Sequence, residues 1–211
     1  NATAGFDIVK FEGTGSAHTE AHSLSAVPHF IIFKGMEVTD NWDTFHTSLG
    51  AEVFPYINST AVPADQTAFM NDTAPTSSVF TVGDATSINT DDKDTIAYCW
   101  TAKQGFSKFG TYEGNNDADG TFVYTGFRPR WVMLKNVDAT EPWLILDTIR
   151  DSDGNPTNAQ LEANDPGAES TNAARNTDFL SNGFKLRYAN AALNSAETFI
   201  YAAFAEAPFV N

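Results

Sequence analysis

The first half of this chain recurs in its second half, about a hundred residues further on. Phe11-Glu12-Gly13 corresponds to Tyr112-Glu113-Gly114, and the segment from Pro28 to Lys34 corresponds to the segment from Pro129 to Lys135. Trp42 then corresponds to Trp143 at the same offset of 101 residues. Two copies of one pattern predict two similar units. We therefore predict two domains, residues 1–104 and residues 105–211, each long enough to bury a core of its own.

The correspondence continues to the end of each half with little drift. It pairs Asn89 with Asn194 at an offset of 105 residues, and the offset is 103 residues in the last apolar segment. The positions that the two halves have in common are glycines at strand starts, a proline before an apolar run, a tryptophan after a polar turn and a final aromatic strand. Such residues set architecture, so the repeat predicts a shared scaffold. A specific contact is then expected where the halves differ, as at His22 and in the turn Asn115–Gly120.

Short segments rich in Phe, Val, Ile, Tyr and Thr alternate with clusters of Gly, Asn, Asp, Pro and Ser. This pattern is typical of strands and turns at the density of a β-sandwich or jelly roll. We predict an all-β fold of two tandem, closely packed, jelly-roll-like sandwiches, because no Gly/Ser or Pro linker separates the halves. The predicted strands cover residues 6–11, 28–34, 41–46, 53–57, 78–82 and 94–104, then 106–113, 121–124, 130–136, 142–148, 159–162, 183–187 and 196–206.

Helix is predicted at only two places. The segment GAESTNAARNTDFL, residues 167–180, has Ser170 or Thr171 as its N-cap candidate and predicts one or two helical turns that end before Gly183. The corresponding segment of the first half, residues 66–71, predicts an equally short helix.

The charge balance argues against one class of partner. The chain has 12 basic and 27 acidic residues, a net charge of -15 and a pI near 4.4. Such a surface repels phosphate backbones and anionic membranes, so we predict no nucleic-acid binding. Because no segment approaches the roughly 18 apolar residues of a spanning helix, we predict no membrane insertion and a soluble chain. The acidic residues are spread along the sequence, which favours a role in solubility or adaptation to salty surroundings.

Cys99 is the single cysteine and lies in the apolar segment 95–102. This position predicts a buried thiol and a fold that depends on its apolar core without a disulfide. The sequence begins at Asn1 and not at a methionine, which predicts a processed product or a piece of a longer polypeptide.

His18 and His22 are spaced like the histidines of a zinc-protease helix, but the glutamate does not directly follow the first histidine. In an extended segment two residues four positions apart lie about 13 Å from each other, too far to share one zinc ion. We predict a polar loop here and not a metal site.

Asn115, Asp117, Asp119 and Gly120 reproduce the spacing of oxygen ligands that opens a calcium loop. The closing position of such a loop is occupied by Gly126 instead of an acidic residue. The sequence predicts no cofactor and leaves calcium open as the one candidate, with Asn115, Asp117 and Asp119 as its ligands. The alternative is an exposed acidic turn, because Asp/Asn/Gly clusters are ordinary turn sequences.

Trp42 and Trp143 each follow a polar turn, which places them near strand starts where an indole ring can be half exposed. Exposed aromatic rings bind sugars and partner proteins. Together with Asn41, Asp117 and Asp119 they form the candidate binding residues. Packing of these rings in the core is the alternative.

No sequence pattern predicts catalysis. The chain has neither the G-x-S-x-G turn of a serine nucleophile nor a phosphate-binding glycine loop. Glu12 and Glu113 occupy equivalent strand ends, which indicates a repeated structural role and not an acid and a base with different pKa values. We predict no catalytic residues and no enzyme. Glycan hydrolysis stays open, because the separation of two carboxylates is set by the fold.

The segments GFSKFGTYEGN, DGTFVYTGFRP, DFLSNGFKLR and YAAFAE together resemble a repeated domain of unknown function that is common in structural proteins of marine bacteriophages. That domain often stands at the C-terminal end of predicted tail-fibre or head-associated proteins, behind a lectin-like sandwich domain. The resemblance covers essentially the whole chain. No catalytic residues are established for the family, so none carry over. The histidine-rich HTEAHSLSAVPHF and the acidic NTDDKDT depart from its pattern and bear on loop function, not on the fold.

The resemblance implies a virion component outside the cell, a fibre or head-decoration module that acts through self-assembly. Its partners would be copies of itself, as a homo-oligomer or filament, and other virion proteins. A carbohydrate- or host-receptor-binding module is the alternative. In that case the loops around Asn41, Trp42 and Asp117–Gly120 would contact a host surface glycan.

Overall fold

The computed structural model describes residues 1–151 and 155–206. These residues form two compact units: the first consists of Asn1–Asn58 and Pro63–Ala102, and the second of Ser59–Val62 and the chain from Lys103 onwards. The short segment Ser59–Val62 therefore belongs to the second unit, although its neighbours in sequence belong to the first. Residues 207–211 of the predicted second domain lie outside the described residues.

Antiparallel strands make up most of the first unit. They are β1 (Phe6–Glu12), β2 (His18–Ala21), β3 (Phe30–Gly35), β4 (Asp43–His46), β5 (Val53–Phe54), β6 (Ala64–Asp65), β7 (Val79–Val82) and β8 (Asp94–Trp100), with two short helices, α1 (Thr67–Met70) and α2 (Thr86–Asn89). A 3-10 turn over Ala2–Ala4 precedes β1. Four strands form a sheet in the order β1-β8-β3-β4, β2 pairs with β7, and β5 pairs with β6.

The inner strand β8 has two different faces, as its alternating sequence predicts. Small residues such as Ala97 and Cys99 are fully buried on one face, and burial raises the pKa of the Cys99 thiol to about 12. Trp100 lies on the opposite face and is partly exposed. The small inward residues leave room for aromatic rings, and Phe33 of β3 packs edge-on against Phe80 of β7 with ring centroids 5.4 Å apart. This contact joins the large sheet to the small one, so the first unit is a β-sandwich.

The second unit is built in the same way from a larger sheet and a smaller one. Its strands are β9 (Ser107–Glu113), β10 (Phe122–Tyr124), β11 (Pro129–Asn136), β12 (Leu144–Asp147), β13 (Ala159–Glu162), β14 (Ser170–Thr171), β15 (Thr177–Leu180), β16 (Gly183–Leu186) and β17 (Thr198–Ala205). The sheets have the orders β14-β13-β12-β11-β17-β9 and β10-β16-β15. Phe184 of β16 packs against Tyr112 and Tyr201 of the larger sheet, with centroid distances of 6.1 and 5.7 Å.

The two units share the order of their central strands. The order β1-β8-β3-β4 of the first corresponds to β9-β17-β11-β12 of the second, and the pair β2-β7 corresponds to β10-β16. The apolar strands β3 and β11 are flanked on both sides by other strands, and their residues Ile31 and Leu134 are fully buried. The prediction of an all-β sandwich fold is confirmed. That the shared order records a tandem repeat stays a prediction.

The predicted helix over residues 167–180 is wrong. Ser170–Thr171 forms β14 beside β13, and Thr177–Leu180 forms β15 beside β16. Only a 3-10 turn over Ala173–Arg175 lies between them, and its cap is Asn172, whose side chain accepts a hydrogen bond from the backbone of Ala174. Backbone pairing with neighbouring strands outweighs the local helix signals in this segment.

The segment that begins at His18 is also not the predicted loop. His18–Ala21 forms β2, and the backbone of His22 continues the pairing by donating to Ser78 O at 3.0 Å. The short helix predicted over residues 66–71 is present as α1.

Candidate functional site

The loop between β3 and β4 carries the most exposed tryptophan that the structure describes. Lys34, near the end of β3, donates to the carbonyl oxygens of Asp40 at 2.8 Å and Val38 at 3.3 Å and so braces the loop. Asn58 holds the next two residues: its Oδ1 accepts from Trp42 N at 2.9 Å, and its Nδ2 donates to Asn41 Oδ1 at 3.2 Å. The loop is therefore fixed while the Trp42 side of it faces solvent, with 38% of the residue exposed.

The strand that follows this loop begins with a buried carboxyl group. Asp43 is 1% exposed, and its Oδ2 has no hydrogen-bond donor among the described residues. Burial raises the pKa of Asp43 to about 7, with a smaller opposing effect of a hydrogen bond from Ser87. Tyr56 pairs with Asp43 across the two backbones, and its hydroxyl donates to Gln66 Oε1 at 2.9 Å.

Asn41, Trp42, Asp43, Tyr56 and Asn58 together form what we name the Trp42 site. Its surface part consists of an indole ring and a carboxamide held by the Asn58 clamp. Its inner part is Asp43, whose carboxyl group is buried and out of contact with solvent. An exposed aromatic ring beside an amide can stack on a ligand while the amide exchanges hydrogen bonds with it. The arrangement is suited to binding.

The equivalent loop of the second unit is braced in the same way but hides its tryptophan. Lys135 donates to Glu141 O at 2.7 Å, and Trp143 N donates to Asn164 Oδ1 at 2.7 Å. Trp143 is only 1% exposed, so of the two readings that the sequence left open, core packing describes Trp143 and a partly exposed ring describes Trp42. The polar turn before each strand fixes where the backbone joins the sheet, not which way the ring points.

The Asn115–Gly120 turn does not present its oxygen atoms to one point. Asn115 Oδ1 accepts from Asp117 N at 3.1 Å and from Asn194 Nδ2 at 2.9 Å. Asp117 Oδ1 accepts from Asp119 N at 2.8 Å, and Asp119 Oδ1 pairs with the ammonium of Lys185 at 2.8 Å. The Lys185 charge lowers the pKa of Asp119.

These contacts do not fit a calcium site at Asn115, Asp117 and Asp119. A calcium ion needs several oxygen atoms aimed at one centre, whereas here the oxygens accept from backbone amides and a lysine. Within residues 1–151 and 155–206, no three His, Cys, Asp or Glu side chains are grouped to hold a metal ion. The alternative that the sequence left open, an exposed acidic turn, describes the arrangement.

The turn is organised by a buried asparagine that recurs in the first unit. Asn194 donates to Asp117 O at 2.8 Å and accepts from Asn115 N at 3.2 Å. In the first unit Asn89 accepts from Thr14 N at 2.8 Å and donates to Ser16 O at 2.9 Å. The correspondence of the two asparagines was visible in the sequence, but their role required the fold.

The glycine that precedes each of these turns is required by the same packing. A Cβ atom on Gly13 would lie 2.2 Å from Thr90 O, and one on Gly114 would lie 1.9 Å from Ser195 O. Any side chain larger than hydrogen would collide with backbone, which cannot move away cheaply. The adjacent Glu12 and Glu113 end β1 and β9 and are exposed.

His18 and His22 do not meet at a common centre. His18 Nε2 lies 3.1 Å from Glu20 Oε1, whereas His22 Nε2 lies 3.2 Å from Thr76 O and its ring stacks on Phe80. The absence of a shared metal site is the geometry that an extended strand gives to residues four positions apart.

The comparisons with known proteins identify a family without a known activity. A family model described as "Domain of unknown function (DUF7483)" matches residues 1–208. Neither the curated proteins nor the solved structures gave a match. Among the described residues, no helix has both the length and the apolar character needed to cross a membrane.

Proposed function

The chain belongs to the DUF7483 family, whose function is not established, and we propose that it is a structural module of a phage particle that acts by self-assembly. One observation carries the proposal. The polar side chains that the two units have in common hold loops of the chain itself, which is the role expected in a building block. The proposed location is the virion, outside the cell, in a fibre or as a head decoration.

The first part of this observation is the pair of lysines whose ammonium groups hold the loop after the strand. Lys34 and Lys135 occupy equivalent positions, and each donates to the carbonyl oxygen six residues further on, Asp40 and Glu141 respectively. Lys135 is fully buried and donates a second bond to Thr60 O at 2.9 Å. A buried ammonium with two of its three donors bonded to backbone carbonyls supports a structural role over a chemical one.

The asparagine and glycine pairs are the second part. Asn89 and Asn194 each hold the turn after the first strand of their unit, and Gly13 and Gly114 allow that turn to approach. The shared strand order and these shared polar contacts support our proposal that the chain is a tandem repeat. Duplication of a rigid module is a common way to lengthen a fibre or to enlarge a coat surface.

Exposed aromatic residues supply a place for contacts between copies. β10 is an edge strand of its sheet, and its outward residues Phe122 and Tyr124 are 41% and 59% exposed, while Val123 between them is buried. The ammonium of Lys108 lies over the Tyr124 ring, 5.2 Å from its centroid. Aromatic residues are enriched in interfaces, so we assign this pair to the self-assembly surface with a second copy of the chain.

The test is the oligomeric state of the whole chain across a range of concentrations. Native mass spectrometry and light scattering should show discrete oligomers or filaments, and the double change of Phe122 and Tyr124 to serine should shift them to monomers. Ile149, which is 63% exposed elsewhere in the second unit, gives the matched control Ile149→Ser, which should leave assembly intact. A chain that stays monomeric at millimolar concentration would refute the proposal.

The Trp42 site favours a second candidate function, the binding of a host surface carbohydrate. Its support is the exposed ring of Trp42 beside the clamped carboxamide of Asn41, because sugars stack on indole rings and bond to amides. A glycan array should show binding that Trp42→Ala removes without changing the oligomeric state. Tyr188→Ala, at another exposed ring, is the control. An array of host glycans without any binding would exclude this function.

A further inference from the structure

A small pocket opens in the second unit beside β13 and β14. It has a volume of about 170 Å³. The residues that line it are Gln160, Glu162, Asp165, Gly167, Ala168 and Ser170. None of these side chains carries a positive charge, and three of them end in an amide or carboxylate oxygen. The pocket is distinct from the Trp42 site and from the Asn115–Gly120 turn.

Gln160 contributes a buried oxygen atom whose hydrogen-bonding capacity is unused. The residue is 4% exposed, and its Nε2 donates to Ser170 Oγ at 3.1 Å. Its Oε1 is buried and has no hydrogen-bond donor within the described residues. Buried carbonyl oxygens are normally satisfied, so this atom indicates a missing donor or cation.

Among the described residues, each of the two carboxylates of the pocket is bonded through one oxygen only. Glu162 Oε1 pairs with Arg175 Nη1 at 2.8 Å, and Asp165 Oδ1 accepts from Gly167 N at 2.9 Å. These contacts orient the two groups and leave Glu162 Oε2 and Asp165 Oδ2 available. Arg175 balances one of the two negative charges, so the lining keeps a net charge of about -1 before an ion is bound.

We propose that this pocket binds a calcium ion. Its protein ligands are Gln160 Oε1, the second carboxylate oxygens of Glu162 and Asp165, and Ser170 Oγ, and water completes the coordination. Calcium accepts such a mixed set of amide, hydroxyl and carboxylate oxygens in irregular geometry, whereas magnesium demands a near-octahedral arrangement. Only two of these ligands are carboxylates, so the pocket is not a group of three acidic, histidine or cysteine side chains, of which the described residues have none. With two carboxylates, the site falls in the weak range of extracellular calcium modules, with a Kd of about 0.1 to 1 mM.

The experiment is calorimetric titration of the whole, chelator-treated chain with calcium chloride. We expect one site per chain, and at least tenfold weaker binding of magnesium. Asp165→Asn should weaken calcium binding at least tenfold, because Asp165 is exposed and its loss removes charge without opening the core. Asp117→Asn, at an exposed carboxylate that does not line the pocket, is the matched control and should leave the Kd unchanged.

Two substitutions of Gln160 separate ligation from a structural role. Gln160→Glu adds a negative charge at the oxygen and should tighten calcium binding, whereas Gln160→Met keeps the shape and should weaken it. A structural role alone would change the melting temperature in both variants without moving the Kd in opposite directions. The proposal is overturned if calcium gives no saturable binding up to 10 times the expected Kd. It is equally overturned if Asp117→Asn, and not Asp165→Asn, removes binding.

Discussion

The buried ammonium of Lys135 donates a 2.7 Å hydrogen bond to the carbonyl oxygen of Glu141. Burial lowers the pKa of Lys135 from 10.5 to about 8, and the negative charge of Glu141 offsets only part of this change. The charged form is thus less favourable in the folded protein than in the unfolded chain. A lysine at this position supplies the hydrogen-bond donor that the loop carbonyls need and that no apolar side chain provides.

This pKa difference predicts that the second unit becomes more stable as pH rises from about 8 towards 10. In that window the unfolded lysine keeps its proton while the folded one loses it, so the unfolded state binds more protons and stability increases with pH. The full gain is at most about 3 kcal/mol. Urea unfolding at several pH values would measure it.

Lys135→Met removes this contribution. Because the tyrosines titrate in both proteins, their effect cancels when the unfolding free energy of the variant is subtracted from that of the native protein. The unfolding free energy of the variant should therefore lack the extra rise between pH 8 and 10. Lys34→Met, in the equivalent brace of the first unit, serves as the comparison. Parallel pH profiles for the native protein and Lys135→Met would contradict the prediction.

Asp43 predicts the opposite trend for the first unit at lower pH. Burial raises its pKa from 3.8 to about 7, so between these values the folded carboxyl keeps a proton that the unfolded one has lost. The folded state binds more protons, and the free energy of unfolding falls as pH rises through the window, by roughly 4 kcal/mol at most.

Asp43→Asn should abolish this fall and exceed the native protein in stability at pH 8. Leucine occupies the equivalent position of the second unit, Leu144, so Asp43→Leu should act in the same direction. Asp40→Asn, at the exposed neighbour, tests whether the effect belongs to the buried group. Denaturant unfolding measured from pH 4.5 to 8 tests this prediction. If the free energy of unfolding of Asp43→Asn falls with pH as steeply as that of the native protein, the trend does not come from Asp43.

Gly114→Ala should destabilise the second unit by more than about 3 kcal/mol or prevent its folding, because the added carbon would lie 1.9 Å from Ser195 O. Gly50, unlike Gly114, has a positive φ of 78°, but an added carbon there meets nothing within 4 Å. Gly50→Ala should therefore lose only about 1 kcal/mol. Thermal unfolding of the two variants separates the effect of the collision at Gly114 from that of the backbone strain at Gly50. Similar losses of stability would show that the contact with Ser195 O is relieved by a small movement.

The two equivalent tryptophans should respond very differently to truncation. Trp143 is 1% exposed, so Trp143→Ala should reduce the free energy of unfolding by about 3 to 5 kcal/mol. Trp42 is 38% exposed and is held through its backbone, which Trp42→Ala retains, so a loss of about 1 kcal/mol is expected. Chemical denaturation compares them, and equal losses would place Trp42 in the core and weaken the case for a binding surface.

The main strands were predictable because their apolar residues repeat at short range. The runs around Phe33 and Leu134 and the alternation around Cys99 each predict a strand with the burial that the structure has. β14 and β15 were not predictable, because the Ala- and Asn-rich sequence between them, residues 172–176, resembles a capped helix and strand pairing with β13 and β16 decides the outcome.

The sites were less predictable than the fold, because their partners lie far apart in sequence. Trp42 was identified from its position after a polar turn, but the clamp by Asn58 has no local signal. Asn115 and Asp117 have the spacing of calcium ligands, yet the bond from Asn194 changes what their oxygens do. Gln160 reads as an ordinary strand residue, and only its burial without a donor indicates a ligand.

The inward position of Cys99 has a practical consequence for chemical labelling. Thiol reagents attack the thiolate at the protein surface, and this sulfur is fully buried with a pKa near 12. We therefore expect Cys99 of the native chain not to react with maleimides until the first unit unfolds. The rate of its modification would then measure the rate of that unfolding. A cysteine introduced on the surface of either unit would react alone, so fluorophores or spin labels can be attached without removing the natural thiol.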